Sequence, residues 1–106
     1  MMPDFGGWSS EPPQLQGLCS VVARARVMVA CLRQESGDRD ARVEVVRLTG
    51  AIVGHADRED WPALGDVAGS LVRLLSTRRG DAPLFEALDG GFDEIERLID
   101  ERMART

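Results

Sequence analysis

Apolar residues that recur at intervals of three and four are the strongest constraint in this sequence, and they are clearest between Asp60 and Ser76. In this segment, DWPALGDVAGSLVRLLS, the apolar positions are Leu64, Val67, Ala68, Leu71, Leu74 and Leu75. This spacing places them on one side of an α-helix, whereas a half-buried strand would need strict alternation. Asp60 is the expected N-cap, and Pro62 falls in the first turn, where its missing N–H costs little. The segment therefore predicts a helix.

Further segments have the same periodicity, and turn residues separate them. The predicted helices, in chain order, are about 12–34, 40–56, 60–77, a short helix that starts at Asp81, and about 92–104. Asp38 or Asp40 can cap the second helix. The pair Gly90-Gly91 is expected to break the chain between the short helix and the last one. Short connections between such helices predict an all-α fold, an antiparallel four-helix bundle with one additional short helix.

One alternative fold remains open at this point. The Val-rich segments ARVMVACL and RVEVVRL partly alternate between apolar and polar residues. Such alternation, together with many β-branched residues, is typical of strands. The alternative is therefore an α+β fold with a hairpin at 24–49.

Length and composition predict one domain preceded by an arm. A chain of 106 residues has the commonest size of a single domain. Residues 1–11, MMPDFGGWSSE, contain Pro, Gly and Ser without periodicity, so we expect a flexible N-terminal arm and a single helical domain at 12–106. The arm contains Phe5 and Trp8, which could dock on this domain, on a second copy or on a partner. Docking on the parent domain is the expected outcome.

Composition argues against several classes of function. The net charge of −5 argues against nucleic-acid binding, which needs a basic face along a phosphate track. All 13 basic residues are Arg, and the chain contains no Lys, Tyr or Asn. A Schiff-base Lys, a Tyr acid and an Asn oxyanion donor are therefore excluded, and we predict no enzymatic activity and no cofactor. The missing residues have AT-rich codons, which indicates a GC-rich, bacterial genome.

The two cysteines are expected to be structural. Cys19 and Cys31 lie about 18 Å apart along the predicted first helix, too far apart to form a disulfide with each other. No signal peptide and no apolar run of about 20 residues is recognised, so no membrane contact is expected. We therefore predict a cytoplasmic protein with both thiols reduced and buried.

His55 is the only histidine and the centre of two weak candidates for a chemical site. Together with the acidic run 57–60 it could bind a metal ion, but a solvated helix end is the preferred interpretation, and no metal is predicted. Ser70, His55 and Asp66 contain the groups of a catalytic triad. Neither a nucleophile elbow nor an oxyanion signature accompanies them, so no catalytic residues are predicted.

The predicted first helix has more apolar surface than one face needs. Besides its main apolar face, it carries Ala23, Val27 and Ala30 on a second face. The arginines that border this second face are Arg26 and Arg33 on one side and Arg24 on the other. Either this helix is central in the bundle or the second face contacts another subunit.

The preferred function follows from that second face. We predict a small non-enzymatic interaction or adaptor module that associates with itself or belongs to a larger bacterial assembly. Its partner would be another protein or a second copy of this chain. In the second case the assembly would be a homodimer. Its contact residues would be Ala23, Val27 and Ala30, together with Phe5 and Trp8 of the arm.

A second candidate function comes from a family resemblance. The order of the segments DWPALG, GSL and PLFEAL resembles the phosphopantetheine carrier proteins, which are acidic four-helix domains. The resemblance covers about half of the chain and implies that Ser70 carries the prosthetic group. It also implies that Ser70 lies at an exposed helix start. The chain has Gly69 where these carriers have an Asp before the serine.

The same region also resembles a second family, the histidine phosphotransfer domain. Asp60-Trp61, Leu64, Ala68 and Leu71 are similar to the entry and apolar positions of its signature helix. This resemblance implies a helical bundle that docks a response-regulator-like partner. Because Gly69 stands at the position of the phosphorylated histidine, it implies an inactive relative.

Overall fold

Four α-helices account for nearly all of the described chain. The structure is a computed structural model and describes residues 13–77 and 80–105. The helices are α1 (Pro13–Gln34), α2 (Arg39–Arg58), α3 (Pro62–Thr77) and α4 (Ala82–Arg105). Within those ranges no strand occurs, so the all-α prediction is confirmed and the alternative hairpin at 24–49 is not supported. The predicted arm at 1–11, with Phe5 and Trp8, lies outside the described residues.

Each helix packs against two others around one apolar core. α1 and α3 both contact α2 and α4. Side chains that are almost fully buried come from every helix, and the largest are Phe92, Leu32, Ile52, Leu64, Leu75, Leu84, Leu88 and Ile95. Thr49 is the one buried polar side chain of the described residues, and its hydroxyl donates a hydrogen bond of 2.6 Å to the carbonyl of Val45. Such a bond removes the cost of burying the hydroxyl.

Aspartate side chains cap two helices, and the sequence predicts the first of these caps. The Asp38 carboxylate accepts a 3.1 Å hydrogen bond from the N–H of Ala41 at the start of α2. The Asp81 carboxylate accepts a bond of the same length from Leu84 at the start of α4. Each satisfies a backbone donor that the first helical turn leaves unpaired.

The expected cap at Asp60 is wrong. Asp60 has a positive φ of 51°, in the left-handed region, which Asp adopts more readily than most residues. Trp61 takes the position before α3 instead: its carbonyl accepts from the N–H of Gly65 at 3.1 Å, and its own N–H donates to Ala56 at 2.8 Å. The turn between α2 and α3 is therefore closed by backbone bonds and buries the Trp61 ring, which is 7% exposed.

The expected break at Gly90-Gly91 is also wrong, because α4 continues through both glycines as a 24-residue helix. The additional short helix is thus the first part of α4. Packing explains the glycine at position 91: a Cβ built there would lie 2.9 Å from Cδ1 of Leu71 and closer still to Cδ2, so a larger residue would force the buried Leu71 side chain to shift. The packing of α4 on α3 outweighs the weak helix propensity of glycine, about 1 kcal/mol per residue.

The two glycines of α3 have more space around them than Gly91 has. A Cβ at Gly65 would lie 3.5 Å from Cβ of Ala56, which is an ordinary contact, and a Cβ at Gly69 would meet nothing within 4 Å. Close approach of another helix therefore does not explain the glycine at position 69.

Trp61 connects three parts of the fold. Its backbone bonds to the last turn of α2, it precedes α3, and its ring lies under the guanidinium of Arg102, whose central carbon is 3.9 Å from the ring centroid. A cation over an aromatic face is attractive, and more so where water is excluded. The contact fixes the last turns of α4 against the middle of the chain.

Candidate interaction surface

α1 has two sides with opposite environments. Its inner side enters the core with Leu15, Leu18, Val22, Ala25, Val29 and Leu32. Its opposite side is exposed along a strip that we call the outer face of α1, formed by Ser20, Ala23, Val27, Ala30 and Cys31. Val27 is 61% exposed, which is unusual for a large apolar side chain in this protein. Of the two possibilities left open by the sequence, a position central in the bundle is excluded, since no described residue covers this face.

Ion pairs to α4 form one border of the outer face. Arg26 lies 3.0 Å from the Asp93 carboxylate and 3.5 Å from Glu96. Arg33, two turns later in α1, lies 2.5 Å from Asp89, which comes earlier in α4. The later arginine of α1 therefore contacts the earlier aspartate of α4.

Ion pairs to α2 form the other border. Arg24 lies 3.5 Å from the Glu44 carboxylate, which also accepts a 2.9 Å hydrogen bond from Nε of Arg47. The hydrogen bonds from Arg47, and then the charges of Arg47 and Arg24, hold the pKa of Glu44 below its usual range. Arginines that the sequence places on the two sides of the face thus turn to carboxylates of the neighbouring helices.

The result is an exposed strip without a charged residue. None of the five residues of the outer face is Arg, Asp or Glu, although 29% of the chain is charged. α2 also has an exposed valine, Val43 at 66%, and exposed charges at Asp40, Arg47 and Asp57. The exposed charges of α1, Arg24 and Arg33, lie at the borders of the outer face. Burying these five residues against another surface therefore removes no charge of their own from water.

The two cysteines have different environments, which corrects one expectation. Cys19 is half-buried, as a structural thiol can be, but Cys31 is exposed on the outer face of α1. Both are free thiols. The prediction that both are buried is therefore wrong for Cys31, and this thiol gives a natural attachment point for a probe on the candidate surface.

α1 also corrects the expectation that the chain lacks a long apolar run. Within Leu15–Gln34 a stretch of 18 residues has a mean hydropathy of 1.5, so by length and composition alone this helix could cross a membrane. Core helices of water-soluble bundles and secretion signals have the same property, and one third of this stretch is buried in the bundle. The apolar surface of α1 is divided between the core side and the outer face.

Ser70, the attachment site implied by the carrier resemblance, lies in the middle of α3. It is exposed, and its hydroxyl accepts a 3.2 Å hydrogen bond from Arg73. Asp66 and Arg73 are exposed as well, so this side of α3 is a polar surface. The helix start that the carrier resemblance requires for Ser70 is absent.

The groups of the supposed triad do not meet. Nε2 of His55 is buried and has no hydrogen-bond partner among the described residues, so it contacts neither Ser70 nor Asp66. Among all the residues that the structure describes, no group of three His, Cys, Asp or Glu side chains is placed to hold a metal ion. The acidic run 57–60 is exposed.

No protein-family model matches this chain, and comparisons with curated proteins and with solved structures give no match either. The geometry of the described residues is therefore the basis on which a function can be inferred.

Proposed function

We propose that this protein is a non-enzymatic interaction module that forms a homodimer through the outer face of α1. The observation that carries this proposal is the exposure of Val27, Ala23 and Ala30 on a strip without charges. An exposed apolar strip bordered by polar residues is the usual mark of a protein contact. Exposed carboxylates and arginines lie on either side of this strip and supply the polar border.

A second copy is the partner that fits this face best. In a twofold dimer the same patch meets itself, so a face with charges of one sign would repel its copy. The outer face of α1 has no charge, and small residues at positions 20, 23 and 30 allow two helices to approach closely. Val27 lies between Ala23 and Ala30 and would pack near the axis.

The contact is expected to be weak. A strip one helix wide is smaller than the roughly 800 Å² per partner that stable complexes bury. We therefore expect dissociation constants in the micromolar range or above, and a protein that exchanges between monomer and dimer. This exchange would suit a subunit that can enter a larger assembly through the same face.

Sedimentation equilibrium over a wide concentration range tests the proposal. The wild type should change from monomer to dimer as concentration rises. Val27→Asp should stay monomeric, because two carboxylates would meet near the axis and like charges placed together cost several kcal/mol. Val43→Asp is the matched control, since it changes a valine of similar exposure on α2, and it should still dimerise.

Two results would contradict the proposal. One is a wild type that remains monomeric at the highest concentration; the other is a dimer that Val27→Asp and Val43→Asp weaken equally. Because α1 has the hydropathy of a membrane span, the same three proteins should also be sedimented with lipid vesicles. If a monomeric wild type binds vesicles and Val27→Asp does not, the partner of the outer face of α1 is a lipid surface rather than a second copy.

A further inference from the structure

A groove between α1 and α4 lies next to the outer face of α1. Ala23 belongs to both, and the other residues that line the groove are Cys19 of α1 and Glu96, Ile99 and Asp100 of α4. The groove has a volume of about 310 Å³. Its lining is apolar at Ala23, Cys19 and the buried Ile99, and it carries two carboxylates on the α4 side. Such a lining suits a long side chain with an apolar stem and a cationic head.

One carboxylate of this groove has no cation in its own chain. Glu96 lies 3.5 Å from Arg26, whereas Asp100 is exposed and forms no ion pair within residues 13–77 and 80–105. Four carboxylates of α4 either face α1 in ion pairs or line the groove, and only two arginines of α1 face them. The α4 border of the outer face is therefore negative.

The α2 border of the outer face has the opposite sign. There Arg24 and Arg47 share one carboxylate, that of Glu44. Arg47 donates hydrogen bonds of 2.9 Å and 2.6 Å to the two oxygens of Glu44, whereas the contact of Arg24 is longer, at 3.5 Å. The side chain of Arg24 is 68% exposed. Arg24 can therefore turn to another carboxylate without leaving Glu44 unpaired.

We propose that the groove between α1 and α4 binds the Arg24 side chain of a second copy of this chain. This contact rests on the homodimer proposed above and makes its two α1 helices parallel. When the twofold axis is parallel to α1, the α2 border of each copy faces the α4 border of the other, and opposite charges meet. An axis perpendicular to α1 in the plane of the contact would place the two negative α4 borders against each other, which is unfavourable.

The heights of the residues along the helix agree with this contact. In two parallel helices at the same level, Arg24 of one copy is displaced by one residue, about 1.5 Å, from Ala23 of the other. Ala23 lies at the edge of the groove. The stem of Arg24 would pack on Ala23 and Ile99, and its guanidinium would pair with Asp100.

The contact fixes the orientation of the dimer rather than its affinity. Arg24 exchanges the carboxylate of Glu44 for that of Asp100, and ion pairs at exposed positions add little free energy. Complementary charges across an interface chiefly select one arrangement over others. The affinity still comes from the outer face of α1, so the dissociation constant should depend little on salt.

Cross-linking through Cys31 tests the orientation. Cys31 lies four residues after Val27, so two parallel helices bring both Cys31 thiols to the same height. With a perpendicular axis at Val27 they would lie about 12 Å apart along the helices, too far for a disulfide. The full chain, at a concentration where sedimentation shows the dimer, is treated with diamide, which takes up the two thiol hydrogens. A disulfide-linked dimer should form much faster than in Val27→Asp, and Cys31→Ser should abolish it.

Reversal of the two charges tests the pairing itself. Asp100→Arg and Arg24→Asp each put like charges at both grooves of a dimer, so each variant alone should lose the cross-link. An equal mixture of the two restores opposite charges at both grooves of the heterodimer and should recover the wild-type rate. Asp66→Arg is the matched control, because it reverses an exposed carboxylate on the side of α3 that faces α2. It should cross-link like the wild type.

Three results would contradict the Arg24 contact. A dimer that depends on Val27 but cross-links no faster than Val27→Asp would overturn the parallel orientation and leave the homodimer standing. A cross-link that survives Asp100→Arg, or that the mixture does not recover, would overturn the pairing of Arg24 with Asp100. A wild type that stays monomeric in sedimentation would overturn the homodimer as well, so the two failures are distinguishable.

Discussion

Val27 and Val29 are the same residue type, two positions apart in α1, yet their surroundings are opposite. Val29 is 3% exposed and packs in the core, whereas Val27 is 61% exposed on the outer face. Since one residue of helix corresponds to about 100° of rotation, two residues suffice to turn a side chain to the other side. The number of apolar residues in α1 is therefore larger than the number of its side chains that are buried in the core.

The comparison shows how charge fixes the orientation of a helix that is apolar on both sides. The carboxylates that face Arg26 and Arg33 belong to α4, and the one that faces Arg24 belongs to α2. Exposed ion pairs add little stability, from about 0 to 1 kcal/mol each. Rotating α1 to bury Val27 would break these pairs and expose Val29 and Leu32, so the pairs favour one orientation over the other.

The sharpest test of this comparison replaces each valine by alanine. Val29→Ala should destabilise the fold by about 2 kcal/mol, from about 0.8 kcal/mol per buried CH₂ and a cavity contribution. Val27→Ala should change stability by less than about 0.5 kcal/mol, as exposed positions usually do. Urea unfolding at low protein concentration measures both without a contribution from dimerisation. Equal losses would contradict the assignment of the two sides.

A second test enlarges a small residue of the outer face. Ala30→Leu should weaken the dimer by about tenfold, since an added side chain in a close helix contact costs about 1–3 kcal/mol. Ala87→Leu adds the same group at an exposed position of α4 and serves as the control. Sedimentation equilibrium gives both dissociation constants. A tighter dimer with Ala30→Leu would show that the helices do not approach closely at this residue.

A smaller effect is expected at the border between α1 and α2. Glu44 has a lowered pKa in the folded protein, so its stabilising contribution is complete above the unfolded pKa and disappears as pH falls through the lowered folded value. The stability difference between wild type and Glu44→Gln should therefore be largest near neutral pH and shrink as pH falls through the lowered pKa of folded Glu44. Urea unfolding at several pH values measures it. A difference that stays constant with pH would exclude the ion pair as its cause.

The smallest effect should be that of salt on the dimer. The outer face of α1 has no charge to screen, so its dissociation constant should stay nearly constant from low salt to about 1 M NaCl, where the Debye length is about 3 Å. Light scattering at matched concentrations follows this. Dissociation by salt would show that the bordering arginines, rather than Val27, hold the two copies together.

The sequence predicts α1, α2 and α3 well, because each has a regular apolar period and clear turn residues at its ends. It wrongly predicts a break at Gly90-Gly91, because glycine disfavours a helix wherever packing does not compensate for it. The sequence does contain a pattern that predicts one continuous helix here. The helical period of apolar residues continues across the two glycines, at Leu84, Leu88, Phe92 and Ile95. Only the structure shows that Leu71 occupies the space beside Gly91.

The candidate surface was predictable in part. Helical spacing groups Ala23, Val27 and Ala30 on one face and places the arginines at its sides, and both features agree with the structure. The pattern could not decide whether that face is exposed, because exposure depends on where α2 and α4 pack. The unpartnered nitrogen of His55 could not be foreseen either, since it depends on the same packing.

The stacking of Arg102 on Trp61 has a consequence for how this fold opens. The last turn of a helix normally frays. Its amide protons are therefore among the least protected of a protein against exchange with solvent. Here a cation of that region lies over a buried ring at the junction of α2 and α3. The amides near Arg102 should therefore exchange with deuterium together with those near Trp61, so that the two distant segments open as a single cooperative unit.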